Sequence, residues 1–316
     1  MTSAFVHAPV LLTETIEALK PRPGGHYVDA TVGGGGHAEK ILELSRPNGT
    51  LLAIDADPAA LEAARARLTP FAGRVTFAQG YNDTLRNLAT EYGFTTADGI
   101  IFDLGVSSPQ LDEAERGFSF LHDASLDMRF GPDATVTASE LLNTLPANEL
   151  QDIFSRYGEE HFAGRIAARI AEARRRQPIR TTGELAGIIQ AVQPSGRHQE
   201  RIHPATRVFQ ALRIAVNDEL DRLSAALPQA VNILATGGRL AVISFHSLED
   251  RVVKQFFRRE VSDCICPPAL PVCRCDHRAT IRVLTRRPIT ATAEEVAGNP
   301  RARSAKLRVA ERLGPA

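Results

Sequence analysis

No run of about eighteen apolar residues occurs in the chain, and its first residues lack a basic start leading into an apolar stretch, so neither membrane spanning nor export is expected and the protein is placed in the cytoplasm. There is no internal repeat and no low-complexity tract. Cysteine is scarce: all four fall in one short stretch, Cys264, Cys266, Cys273 and Cys275, which leaves the rest of the chain without staples. None is needed, because 316 residues at 43% apolar can bury a full core as one large domain or as one domain carrying an insertion. The cysteines read C-x-C-x6-C-x-C with His277 close behind. This is not the usual C-x2-C knuckle; it suits either a structural zinc or a proline-rich reduced loop, and no metal is assigned.

Net charge is also absent, at zero, but it is not evenly spread: residues 1–160 hold 11 Lys+Arg against 23 Asp+Glu, and the remainder offsets them. Ten arginines lie within 161–214 and nine Lys+Arg within 264–308, each set against three acids. Both stretches read either as polyanion-facing surface or as solvated helix faces.

Patterning then supplies the elements. From Pro9, VLLTETIEALKP predicts a helix with Leu12, Ile16 and Leu19 on one face, stopped by proline and glycine at 21–25. HYVDATV (26–32) predicts a strand running into the glycines at 33–36, and AEKILELS a helix after them. The pattern repeats as strand 49–57 with Asp55 at its end, a helix opened by Pro58, strand 74–80, a helix near 85–92, and strand 97–105 with Asp103 at its tip. Such alternation means a parallel sheet. The rhythm breaks over 110–214, where ELQDIFSRY, HFAGRIAARIAEARRR and TGELAGIIQAV are amphipathic and no strand is predicted, which indicates a helical insertion. One long helix at about 205–235 is expected to lead into strand 237–247, and segments 279–289 and 304–313 into a last, antiparallel strand pair. The expected fold is α/β, a Rossmann-like parallel sheet ending in that pair, with parts at 1–109 and 215–316 and an all-helical insertion at 110–214.

DATVGGGGH (29–37) sets a carboxylate at a strand's end and then four glycines, which admit a ligand to the backbone without Cβ clashes. Asp55 ends the neighbouring strand, where an acid can take both ribose hydroxyls of a nucleoside cofactor at the sheet's carboxyl edge. Two details favour S-adenosylmethionine over a dinucleotide. The carboxylate of Asp29 would repel a pyrophosphate but welcome a sulfonium or an ammonium, and the loop does not read G-x-G-x-x-G. After the third strand, Tyr81 offers a ring face to an adenine or a side chain to the core. His37 is either a solvent-facing helix residue or a holder of the loop or the cofactor's carboxylate.

With these motifs placed, the sequence closely resembles the ribosomal RNA small subunit methyltransferase H family, also called MraW. The resemblance rests on HAPVLLTE (7–14), DATVGGGGH (29–37), AIDADP (53–58), DLGVSSPQLDEAERGFSF (103–120), LDMR (126–129), YGEE (157–160), HPATRVFQALRIAVNDEL (203–220), ISFHSLEDR (243–251) and NPRARSAKLRVAER (299–312), and so spans nearly the whole chain. It implies a class I S-adenosylmethionine-dependent methyltransferase with an inserted helical domain. The implied reaction is N4-methylation of a cytidine of 16S rRNA in the decoding region, within the small ribosomal subunit. Carried over by motif, the cofactor contacts fall on Gly35, Gly36, His37, Asp55, Tyr81, Asp103 and Gln110, beside Asp29. The cysteine cluster belongs to part of the family and is not required for its chemistry.

An exocyclic cytosine amine is a poor nucleophile because its lone pair is delocalised into the ring. Acceptors must therefore bind its N–H groups, and positioning matters more than a strong base. Asp103, Ser107, Ser108 and Pro109 are the candidates, the two serines reading equally as turn formers. Phe118 and Phe120 serve either as aromatic core or as stacking partners for an extruded base. Arg165, Arg169 and the arginines at 174–176 are candidate phosphate contacts. Two other readings compete: a noncatalytic assembly factor that binds rRNA, and an NAD-dependent oxidoreductase, which the sequence disfavours because no His and Lys or Tyr and Lys pair accompanies the fold.

Overall fold

Seven strands pair side by side in the order β3-β2-β1-β4-β5-β7-β6. They are β1 (His26–Asp29), β2 (Thr50–Asp55), β3 (Val75–Gln79), β4 (Ala97–Asp103), β5 (Leu234–Ser244), β6 (Ile281–Val283) and β7 (Lys306–Arg312). The first five are parallel, and β7 runs antiparallel between β5 and β6. In chain order the helices are α1 (Leu12–Leu19), α2 (Gly36–Leu44), α3 (Pro58–Arg67), α4 (Leu85–Glu91), α5 (Ala138–Thr144), α6 (Ala147–Gly158), α7 (Ala163–Ala173), α8 (Thr182–Val192), α9 (Ala205–Asn217), α10 (Glu219–Ile233), α11 (Ser247–Glu260) and α12 (Ala293–Gly298). This is a computed structural model, and it describes residues 9–107, 110, 113–192, 203–267, 270 and 272–314. Among them no helix is long and apolar enough to cross a membrane.

The chain divides into two compact units, one made of the described residues up to Gly105 and from Leu220 onward, the other of Val106–Glu219. The sequence had suggested 110–214 for the second. In the sheet unit, successive strand residues point to opposite faces, and both faces are apolar because both are covered. Leu52, Ile100 and Val242 pack with Leu85 of α4, Leu227 of α10 and Val253 of α11. Their neighbours Leu51, Ile101 and Ile243 pack with Ile16 of α1, Ile41 of α2 and Leu61 of α3. The helical unit has a core of its own, with Leu142, Phe154, Ile166, Leu185 and Leu212 fully buried in it.

Three expectations about elements are corrected. The helix expected at about 205–235 is two helices, because Asp218 takes a left-handed backbone (φ 50°) that ends α9 before α10 begins. Arg213 straddles the corner with a bidentate pair to Glu219 at 2.7 and 2.8 Å. Strand β5 begins at Leu234 rather than at 237, and of the segment 279–289 only Ile281–Val283 forms a strand.

Candidate active site

In an open parallel sheet the ligand crevice lies beyond the strands' carboxyl ends, where neighbouring connections leave to opposite sides. Here that point is between β1 and β4, since β2 and β3 lie on one side of β1 and β4 and β5 on the other. Asp29, Asp55 and Asp103 are the last residues of β1, β2 and β4. Strand geometry alone therefore brings three carboxylates to one edge of the sheet.

The carboxyls of Asp29 and Asp55 are held by backbone N–H groups, and Asp103 is tied through its own N–H. Asp29, 2% exposed, accepts the Thr31 N–H at 3.2 Å. Asp55 accepts the N–H of Gly33 at 2.8 Å and of Asp57 at 2.9 Å, which ties the glycine loop to the tip of β2. Thr31 accepts the Asp103 N–H at 2.6 Å, which ties the same loop to β4. Asp103 itself keeps Oδ1 fully buried without a hydrogen-bond partner.

Burial shifts all three carboxyls upward. Asp29 rises to about 7, chiefly from burial, opposed by the Thr31 N–H and aided by the charge of Asp55. Asp55 rises to about 6, again chiefly from burial, against the N–H groups of Asp57 and Gly33. Asp103 is raised well above the usual carboxylate range by burial first, then by Asp29 and Glu249. Among the described residues no Lys or Arg pairs with any of the three. An edge of this kind favours a cationic ligand, whose charge would offset the cost of ionising buried carboxyls.

The loop between β1 and α2 has the room for one. Gly33 and Gly35 adopt φ of +49° and +79°, where other residues are strained, and a Cβ on Gly34 would meet nothing within 4 Å. Gly36 differs: a Cβ there would come within 2.7 Å of Pro9, so packing also requires a glycine at this position. His37 is 4% exposed and not solvent-facing. Its Nε2–H donates to the Val10 carbonyl at 3.1 Å, its Nδ1 lies 3.6 Å from Asp103, and burial lowers it to about 4, so the ring is neutral and anchors the start of α1 to the loop.

Tyr81 follows β3, is 7% exposed, and has the Arg222 guanidinium 3.9 Å from its ring centroid. Arg222 is fixed in turn by Asp83 at 2.9 and 3.0 Å. One ring face is thus taken by a cation and at most the other can meet an adenine. The sequence reading missed Arg222, Thr31 and Glu249. Glu249 carried a local signal: it is the third residue of a capping box, accepting the N–H groups of Phe245 and His246 at 2.8 and 3.2 Å where β5 turns into α11. The other two had none, because their partners are set by the sheet.

The remaining candidates belong to the helical unit. Gln110, 5% exposed, accepts the Ser107 N–H at 2.9 Å. Ser108 and Pro109 lie outside the described residues. Phe118 is core, 8% exposed and stacked on Phe130 at 5.4 Å, which removes it as a base-stacking platform. Phe120 stacks on the His203 ring at 4.5 Å and meets Phe209 edge-on at 5.0 Å, so its faces are largely engaged as well. On α7, Arg165 lies over the Phe162 ring and Arg169 pairs with Glu172, both remaining at the surface. Just beyond, Arg174 donates to the Leu142 carbonyl, while Arg175 and Arg176 are exposed.

The profile of the MraW methylase family matches residues 4–313. Ribosomal RNA small subunit methyltransferase H of Thermomicrobium roseum is 56% identical over 307 residues, covering 97% of this chain and 94% of that protein. The protein of the same name from Heliobacterium modesticaldum is 52% identical over 310 residues, covering 98% of this chain and 99% of its own. That of Dehalococcoides mccartyi strain BAV1 is 52% identical over 309 residues, with 98% and 87% covered.

Proposed function

The chain belongs to the MraW methylase family, and from that premise we propose that it carries a methyl group from S-adenosylmethionine to N4 of a cytidine in the decoding region of 16S rRNA, within the small ribosomal subunit in the cytoplasm. The observation that supports this most is the trio of carboxyls at the tips of β1, β2 and β4 around the open glycine loop, one buried and two half-buried, all raised by burial and with no Lys or Arg paired to them among the described residues. When bound, S-adenosylmethionine supplies an electrophilic methyl on a sulfonium. Asp55 would take the ribose hydroxyls, as its place beside the loop suits. Asp29 and Asp103 would face the cationic centres, sulfonium and ammonium, and ionise against them. The backbone at 33–36, His37, Tyr81 and Gln110 would complete the hold.

For the acceptor, the chain's task is to bind the amine's N–H groups, draw its lone pair out of conjugation, and hold it in line with the methyl. Asp103, with an oxygen that has no partner, is the first candidate, and Ser107, Ser108 and Pro109 follow it in sequence. No strong base is called for, since the amine's proton can leave after transfer. Nucleoside mass spectrometry of 16S rRNA from a strain lacking the gene tests the proposal. The reading expects one decoding-region cytidine to lose its N4 methyl and to regain it on complementation; an unchanged modification pattern would contradict it.

A further inference from the structure

The four cysteines lie far from the cofactor edge. Helix α11 leaves β5 at the carboxyl edge and runs back along the sheet, so the segment between α11 and β6 sits at the opposite, amino edge of the parallel strands. Its stem is tied: Thr280 bonds Glu260 through backbone (2.8 Å) and side chain (2.6 Å), and the Ala279 N–H reaches Asp263 at 3.2 Å. Beyond the stem no apolar side chain among the described residues is buried in the loop, for Ile265, Leu270 and Val272 are 39%, 43% and 67% exposed. A loop of this kind needs another source of order.

The sulfurs provide it. All four Sγ atoms lie within 4.8 Å of one another. Cys273 and Cys275 are 3.5 Å apart, and Cys264 and Cys275 3.8 Å. A zinc ion with four thiolates at ~2.3 Å requires sulfurs at the corners of a tetrahedron with edges of ~3.8 Å. These separations are far longer than the ~2.05 Å of a disulfide, and a multi-iron cluster would spread its cysteines wider. The backbone around them has the two-limbed form of a thiolate cage. The middle residue of each C-x-C limb donates its N–H to the last cysteine of the other: Ile265 to Cys275 at 3.3 Å and Arg274 to Cys266 at 3.3 Å. The Cys266 N–H donates to Cys264 at 3.4 Å. Donors aimed at sulfur stabilise thiolates and orient them for a metal. His277 is not a fifth candidate, since its Nε2 is bonded to the Arg259 carbonyl at 3.1 Å.

We propose that Cys264, Cys266, Cys273 and Cys275 form a mononuclear tetrathiolate zinc site that orders the loop between α11 and β6. The site is structural: a full set of four protein ligands leaves no position for substrate, and it stands at the edge of the sheet away from the cofactor. Binding displaces the thiol protons to solvent.

Elemental analysis of the purified full-length chain should find about one zinc per molecule, and X-ray absorption four sulfur neighbours at about 2.3 Å. Cys273→Ser should lose the zinc. In case that variant misfolds, the unaltered protein is titrated with a mercurial while released zinc is followed with a chromogenic chelator. Release of the zinc in step with thiol modification, with S-adenosylmethionine affinity changed less than about twofold, is the expected result. Four reactive thiols without stoichiometric metal, iron in place of zinc, or zinc retained after all thiols are blocked would each overturn the assignment.

Discussion

Asp103 is the residue on which charge and shape are most easily separated. Asp103→Asn keeps the shape of the side chain and removes the need to ionise a buried carboxyl beside Asp29 and Glu249. The ligand-free protein should therefore melt higher, while S-adenosylmethionine binding weakens by about 1.5–3 kcal/mol, roughly ten- to hundredfold, from loss of a charge-assisted contact. Calorimetry on both forms checks the two effects together, and a variant that binds the donor as tightly as before would remove Asp103 from the site. The same carboxyls set the pH response. A carboxyl raised in the folded chain keeps a proton that the unfolded chain has already released, so the stability it lends fades as pH climbs through its folded value. His37, lowered to about 4, acts in the opposite sense between about 4 and 6.5 and drops out above that. Between about pH 6.5 and 8 the carboxyls, with Asp29 at about 7 and Asp103 also raised, lower stability as pH climbs, while Cys275, lowered to about 6, acts in the opposite sense. The carboxyls' share should appear as a widening gap in melting temperature between Asp103→Asn and the unaltered free protein across that window, and donor affinity should rise, as measured by scanning calorimetry and titration calorimetry. A flat affinity profile would contradict the assignment.

At the scale of elements, the corner between α9 and α10 shows what patterning along the chain can and cannot reveal. Apolar periodicity runs through residues 205–235 without interruption, because both helices bury a face, and a single left-handed residue at Asp218 has no hydropathic signature. The strands leading to the site were legible for the converse reason: a β-branched run ending in an acid and glycines is a local pattern. The end of α9 is held by a buried amide. Asn217, 1% exposed, donates to the Met128 carbonyl at 2.7 Å and accepts the Phe130 N–H at 2.8 Å. Asn217→Leu leaves the buried Met128 carbonyl and the half-buried Phe130 N–H unpaired, and should cost about 1–3 kcal/mol in a urea melt. A loss below about 0.5 kcal/mol would mean that water replaces the amide without strain.

Across the whole molecule, charge is divided along the chain: the acidic residues 1–160 contain the three strand-tip carboxyls, while 161–214 hold ten arginines. Contacts to phosphate release counterions, and a buried cofactor contact does not. Raising salt from about 50 to 200 mM should therefore weaken rRNA binding by an order of magnitude or more, with S-adenosylmethionine affinity altered less than about twofold. Filter binding and titration calorimetry distinguish the two. The sequence made the carboxylate edge readable because Asp29, Asp55 and the glycines are close along the chain. It hid the Arg222 cation over Tyr81, whose partner comes from elsewhere in the fold, and left Phe118 open between core and base stacking until its stack on Phe130 decided for core. The central claim is that this carboxylate edge holds the donor whose methyl reaches a cytidine amine. Its most direct test is incubation of undermethylated small subunits with methyl-labelled S-adenosylmethionine and either the unaltered protein or Asp55→Ala, followed by nucleoside digestion. The account predicts label in N4-methylcytidine with the unaltered protein and little or none with the variant; label in another nucleoside, or equal transfer by Asp55→Ala, would contradict it.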